Sequence, residues 1–214
     1  MREGFHDDLE RLTRSLAEMC EAAAAAVRHA TQALVQADLV VAQQVIGDDE
    51  LLDAQRAQCV EDAYSLLALQ APVAGDLRRI LAVVYCAEKV ERMGDLAAHI
   101  ADTARYAHPG HAVPTDLTPT FERMGRLAAE MAERVATQIR TGAGDGYGEL
   151  READETVDAL HAGLLAGITG PDWQHGQRAA VTTALTTRFY ERFADQVVSV
   201  AKRFEFASTG DLPE

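Results

Sequence analysis

The sequence predicts an all-α protein built as two tandem three-helix bundles related by an internal repeat. Apolar residues recur at helical spacing through long stretches rich in Ala, Leu, Glu and Arg, and no β-alternation of useful length interrupts them. Aromatics are only 6% of a chain that is 48% hydrophobic, which favours helices over sheets while leaving ample material for a core. The prolines and glycines cut the chain into six helical stretches, three on either side of a segment at 108–115 that holds two prolines and a glycine. That segment divides a first unit, residues 1–107, from a second, residues 116–214.

The first helix is expected over about 3–36, with Phe5, Leu9, Leu12, Leu16 and Met19 on one face and an alanine run at 22–26 suited to close packing. Asp38 can cap a second start, and Gly47-Asp48-Asp49 predicts a break before a helix reaching residue 70. Residues 71–75 hold Pro72 and Gly75, after which Asp76 is expected to cap a third helix running to about 106. The fourth helix is expected over about 116–140, and Gly142 to Gly148 forms a glycine-rich connector. That connector superficially resembles a phosphate-cradling loop, but no strand precedes it and no Gly-Lys-Ser/Thr follows. A fifth helix over about 149–168 ends at Thr169-Gly170-Pro171, and the last runs from about 174 to 206.

The repeat carries chemistry. The third helix contains Glu91-Arg92-Met93-Gly94-Asp95 and the sixth Glu191-Arg192-Phe193-Ala194-Asp195, an offset of 191 − 91 = 100 for both carboxylates. The second helix carries Asp49 and Asp53 and the fifth Asp154 and Asp158, an offset of 154 − 49 = 105. Each doublet is spaced i, i+4 and projects from one helix face, where like charges destabilise an isolated helix by about 0.2–0.5 kcal/mol per pair. At about 100° per residue, Glu91 and Asp95 continue the stripe of Leu77, Ile80 and Val84, and Glu191 and Asp195 that of Ala180, Ala184 and Val198. Asp49 and Asp53 share a stripe with Val60 and Leu67, and Asp154 and Asp158 with His161, Leu165 and Ile168. Carboxylates that prolong apolar seams need compensation. Local salt bridges from Arg92 and Arg192 are one form. The other is a divalent or trivalent cation such as Mg, Mn, Fe, Zn or Ca, held by oxygen ligands from two helices. The expected sites are Asp49, Asp53, Glu91 and Asp95 in one half, and Asp154, Asp158, Glu191 and Asp195 in the other.

Bulk charge narrows the partners. With 34 acidic against 20 basic residues the net charge is −14, which repels phosphate backbones and argues against nucleic-acid binding. Cys20, Cys59 and Cys86 stand singly without CxxC spacing and read as buried thiols of a reducing compartment. Residues 1–8 carry charge where a signal peptide needs an apolar core, and no apolar run approaches the roughly 20 residues of a membrane span. Both point to a cytoplasmic protein, and the long Ala-rich helices suit a homodimer.

The stretch Glu91-Arg92-Met93-Gly94-Asp95-Leu96-Ala97-Ala98-His99-Ile100-Ala101 resembles the E-R-I-G-D-x-A-x-N-I-A signature of the PhoU family, regulators of bacterial phosphate uptake. Ala74-Gly75-Asp76-Leu77-Arg78-Arg79-Ile80 is similar to that family's lead-in to its third helix, and the resemblance covers nearly the whole chain. It implies a cytoplasmic negative regulator of phosphate uptake and phosphate-starvation signalling. Such a protein would be an adaptor, not an enzyme, between the ATPase of a phosphate ABC transporter and a sensor histidine kinase. It also implies metal clusters on the E/D-x-x-x-D motifs, here the four doublets. His99 stands in place of the usual Asn, Ala194 of the Gly, and Gln196 and Ser199 of the His and Asn of that motif. Arg188 occupies the position of Glu88 in the first copy, so the second site is poorer in anionic ligands.

The rival reading is a carboxylate-bridged helical bundle for iron storage or oxidation. That class needs two Glu-x-x-His motifs in one four-helix bundle, and only Asp158-x-x-His161 comes near. His161 is an additional candidate ligand. Phe189, Phe193, Phe204 and Phe206 read as core or interface, and Trp173 as a staple at a helix entry.

Overall fold

A computed structural model describes residues 2–142 and 146–211. The described residues are helical with no strand: α1 (Arg2–Gln36), α2 (Leu39–Gln70), α3 (Ala74–Ala107), α4 (Thr118–Thr141), α5 (Tyr147–Thr169) and α6 (Gly176–Thr209), with a 3-10 turn at Thr115–Leu117 before α4. The six expected helices are all present. Of the glycine-rich connector, residues 143–145 lie outside the described residues.

Two starts differ from expectation. Gly47-Asp48-Asp49 does not break α2, which runs unbroken from Leu39 because Ala42, Val45 and Leu52 are buried on both sides of Gly47. A glycine in a helix interior costs roughly 1 kcal/mol, which this burial readily offsets. Asp38 does cap α2, its Oδ1 accepting from the N–H groups of Val40 at 2.9 Å and Val41 at 3.1 Å. Asp76 is not the cap of α3. The helix starts at Ala74, the N-cap position is Val73 without a side-chain hydrogen bond, and Asp76 lies in the first turn, where its charge complements the helix dipole.

Within each half the three helices pack on one another, and the halves join through two helix pairs, α1 on α4 and α3 on α6. Phe5, Leu9, Leu12, Leu16 and Met19 are all buried as the α1 face requires. The α1–α4 pair is antiparallel: Arg28 meets Glu133 at 2.7 Å, and Arg140 meets Glu21 two turns away. Gly125 permits close approach there, since a Cβ would run into the Thr31 side chain. Thr31 Oγ1 donates to the Val27 carbonyl and lies 2.9 Å from the buried Tyr190 hydroxyl of α6. The α3–α6 pair is also antiparallel. Tyr85 reaches Ser199 and Cys86 reaches the Val200 carbonyl at one end, while His99 lies against Phe189 at the other. The buried side chains of both halves form one continuous apolar cluster. Cys20, Cys59 and Cys86, one from each helix of the first half, are all buried in it. Burial pushes the Cys86 thiol up to about 12 and Cys59 up to about 11.

Candidate metal centre

The carboxylates lie on the border between core and solvent. Asp49, Glu91, Asp95, Asp154 and Glu191 are half-buried, while Asp53, Asp158 and Asp195 are exposed. The apolar residues of the same stripes, Val60, Leu67, Val84 and Val198, are likewise half-buried. Leu77 departs from the expected seam: it is 36% exposed and belongs to the outer face of α3.

In the first half α2 and α3 bring Asp49, Asp53, Glu91 and Asp95 within electrostatic reach. Burial, then Asp95 and Asp53, push the Asp49 carboxyl up to about 6, with His99 opposing. Burial and the same two aspartates raise Glu91, while Arg56 lowers it. Gly94 sets the helix separation: a Cβ there would stand 2.5 Å from Leu52 Cδ2 and 2.9 Å from Asp49 Oδ1. The expected salt bridge from Arg92 forms, its guanidinium donating to Asp95 Oδ2 at 2.5 Å.

In the second half α5 and α6 gather Asp154, Asp158, Glu191 and Asp195. Asp154 is pushed up to about 7 by burial and then by Asp158, Asp195 and Glu191. Burial leads the upward shifts of Glu191 and Asp195 as well. Arg192 forms no ion pair among the described residues; Arg188, one turn before Glu191, pairs with it instead. Sequence reasoning placed Arg188 at the position of Glu88 but missed the other half of an exchange of cations that the repeat offsets make visible. In the first half Arg56 of α2 pairs with Glu88 of α3 at 3.2 Å. Their equivalents, 56 + 105 and 88 + 100, are His161 and Arg188, so the positive charge has moved to the other helix. His161 lies 3.3 Å from Thr187 Oγ1, and burial followed by Arg188 lowers its pKa.

Two carboxylate oxygens, Asp154 Oδ1 and Glu191 Oε2, are buried without a hydrogen-bond partner among the described residues, and both belong to the second cluster. Although Arg188 replaces a carboxylate here, this cluster is the one that holds the unsatisfied carboxylate oxygens among the described residues. Buried oxygens without donors, on carboxyls held above their ordinary range, suit a hard cation. Among the described residues no three His, Cys, Asp or Glu side chains meet in a ligating arrangement. The carboxylates are gathered but not closed on a point, and ligation requires rotation about their χ angles.

The PhoU domain pattern matches residues 16–104 and again 121–204. Over its full length the chain is 44% identical to the phosphate-specific transport system accessory protein PhoU homolog 1 of Mycobacterium leprae, covering 96% of that protein. The chain belongs to the PhoU family. It is also 44% identical to PhoU homolog 2 of Mycobacterium tuberculosis, with all of both chains covered. Family folds are reproduced closely. The PhoU regulatory protein of Streptococcus pneumoniae superimposes with a TM-score of 0.88 at 22% identity, over 98% of this chain and 99% of that one. PhoU of Pseudomonas aeruginosa does so with a TM-score of 0.84 at 22% identity, over 97% of this chain and 100% of that one. Among the described residues no helix is long and apolar enough to cross a membrane.

Proposed function

We propose that this chain is an accessory protein of phosphate transport. In this reading it is a cytoplasmic negative regulator that restrains phosphate uptake and starvation signalling when phosphate is plentiful. Its partners would be the ATPase of a phosphate ABC transporter and a sensor histidine kinase, joined without any chemistry of its own. The observation that carries this reading is full-length correspondence, through both repeats, to relatives named as accessory proteins of phosphate-specific transport. A strain lacking the gene should express phosphate-scavenging functions constitutively in high phosphate. Normal repression in that strain, with loss of an oxidase or iron-storage activity, would favour the rival bundle instead.

The carboxylate clusters are proposed to take Mg, Mn, Fe or Zn, with Asp49, Asp53, Glu91 and Asp95 as one donor set. Asp154, Asp158, Glu191 and Asp195 are the other. A bound cation would supply the positive charge that the gathered carboxylates lack, tying α2 to α3 and α5 to α6. Arg92 and Arg188 already neutralise Asp95 and Glu191 in part, and both arginines would have to yield. Elemental analysis of the purified protein and of the Glu91→Ala, Glu191→Ala double variant tests the assignment. Full retention of metal by the variant would defeat it.

A further inference from the structure

The antiparallel α3–α6 pair has two ends, and the offset of 100 exchanges them. At one end the α3 side chains cover the groove. Tyr85 reaches across so that its hydroxyl lies 3.2 Å from Ser199 Oγ. Its ring is flanked by Arg203 at 4.6 Å and Lys89 at 5.4 Å. Arg78 closes that end against α6, where a Cβ on Gly210 would stand 3.4 Å from Arg78 Nη2.

At the other end the equivalent positions are Leu185, Thr103, Phe189 and Arg178. Leu185 carries no ring to span the groove and is 56% exposed. Thr103 turns its hydroxyl back to the His99 carbonyl at 2.9 Å. Arg178 has neither an ion pair nor a ring partner among the described residues. What remains is a cleft of about 680 Å³, within the 300–1,000 Å³ range of small-molecule sites. Tyr106, Leu185 and Phe189 form its apolar walls, and Arg178, His99 and His111 its polar ones. Its one carboxylate, Asp102, is engaged by Arg105 at 2.6 Å, and His175 is held by Asp116 at 3.2 Å.

We propose that this cleft binds an anionic small molecule with an aromatic body, of the nucleoside phosphate class. Its ring takes the place that Tyr85 fills at the other end, against Phe189, and its phosphate takes Arg178. A free guanidinium in a chain of net charge −14 is the local exception that an anion needs. Stacking on aromatic walls supplies the rest. Inorganic phosphate alone would leave those walls wet. This inference stands apart from the metal reading and from the transport role.

Calorimetry with ADP, adenosine and inorganic phosphate, in chelator, tests it. Trp173, the single tryptophan, gives a second signal, since its ring lies 4.8 Å from that of His175 at the cleft wall. The expected result is saturable ADP binding, with adenosine and phosphate each weaker by about tenfold or more, the loss of one charge-assisted contact or one stacked ring. Arg178→Ala and Arg178→Gln should weaken ADP by about tenfold. Leu185→Tyr, which restores the residue of the covered end, should abolish binding while the unfolding midpoint holds. Absence of saturable ADP binding, phosphate binding as tightly as ADP, or retained affinity in either the Arg178 or the Leu185 variants overturns the proposal.

Discussion

Asp154 is where the charge of the second cluster should be easiest to measure as stability. In the folded chain its carboxyl is pushed from 3.8 up to about 7 by burial and by four neighbouring carboxylates, Asp158, Asp195, Glu191 and Glu155. A change of that size corresponds to about 4 kcal/mol, which screening at a half-buried side chain reduces to about 2 kcal/mol. The sign follows from proton binding. Between about pH 4 and pH 7 the folded state holds the proton that the unfolded state has lost, so stability falls as pH rises through that window. Above about pH 7 the whole cost is present, and at pH 5 about one third of it has accrued. Asp154→Asn removes the charge at nearly constant volume. In chelator it should raise the unfolding free energy by about 2 kcal/mol at pH 8 and by less than about 1 kcal/mol at pH 5. Urea unfolding of both proteins at the two pH values reads this directly. Equal stability at pH 8, or a gain that does not depend on pH, would refute the electrostatic account of the cluster.

Gly94→Ala should destabilise by about 1–2 kcal/mol, because the added methyl meets the buried Leu52 and overpacking outweighs the better helix propensity. It also pushes Asp49 off its position, so in a metal-loaded sample the first cluster should lose affinity while the second keeps it, as site-resolved titration would report. A midpoint at or above wild type would show that α2 and α3 separate more easily than their packing implies. Asp38→Ala deletes the cap of α2 and should cost about 1 kcal/mol, with Asp38→Asn retaining most of it. Thermal unfolding checks both, and a drop shared equally by the two variants would place the effect in charge instead of capping.

What the sequence carried was periodicity. The helices and the placing of the doublets on them followed from spacing, because i, i+4 patterns survive whatever the tertiary packing does, while prolines and glycines marked the breaks between them. The break expected at Gly47 did not form, since burial of Ala42, Val45 and Leu52 outweighs one glycine. Helix starts were similarly hard to place: Asp76 had the chemistry of a cap, yet the helix begins two residues earlier with a left-handed Ala74. The cation exchange between Arg56–Glu88 and His161–Arg188 required two helices to be aligned at once, and so did the contrast between Tyr85 and Leu185. Such features live in the relation between elements. Single-helix patterns do not contain them, although the offsets of 100 and 105 would have exposed both on inspection.

The antiparallel joining of α1 to α4 and of α3 to α6 has a consequence for how the molecule comes apart. The buried faces of these four helices are shared, so neither half can lose its structure without uncovering the other's apolar surface. Thr31 and Tyr190 illustrate the bond: a hydroxyl from the first helix of one half is satisfied by a phenol from the last helix of the other. The chain should therefore melt in one transition, and damage near either carboxylate cluster should lower the single midpoint of both halves together. A duplicated sequence has in this way become a single thermodynamic unit.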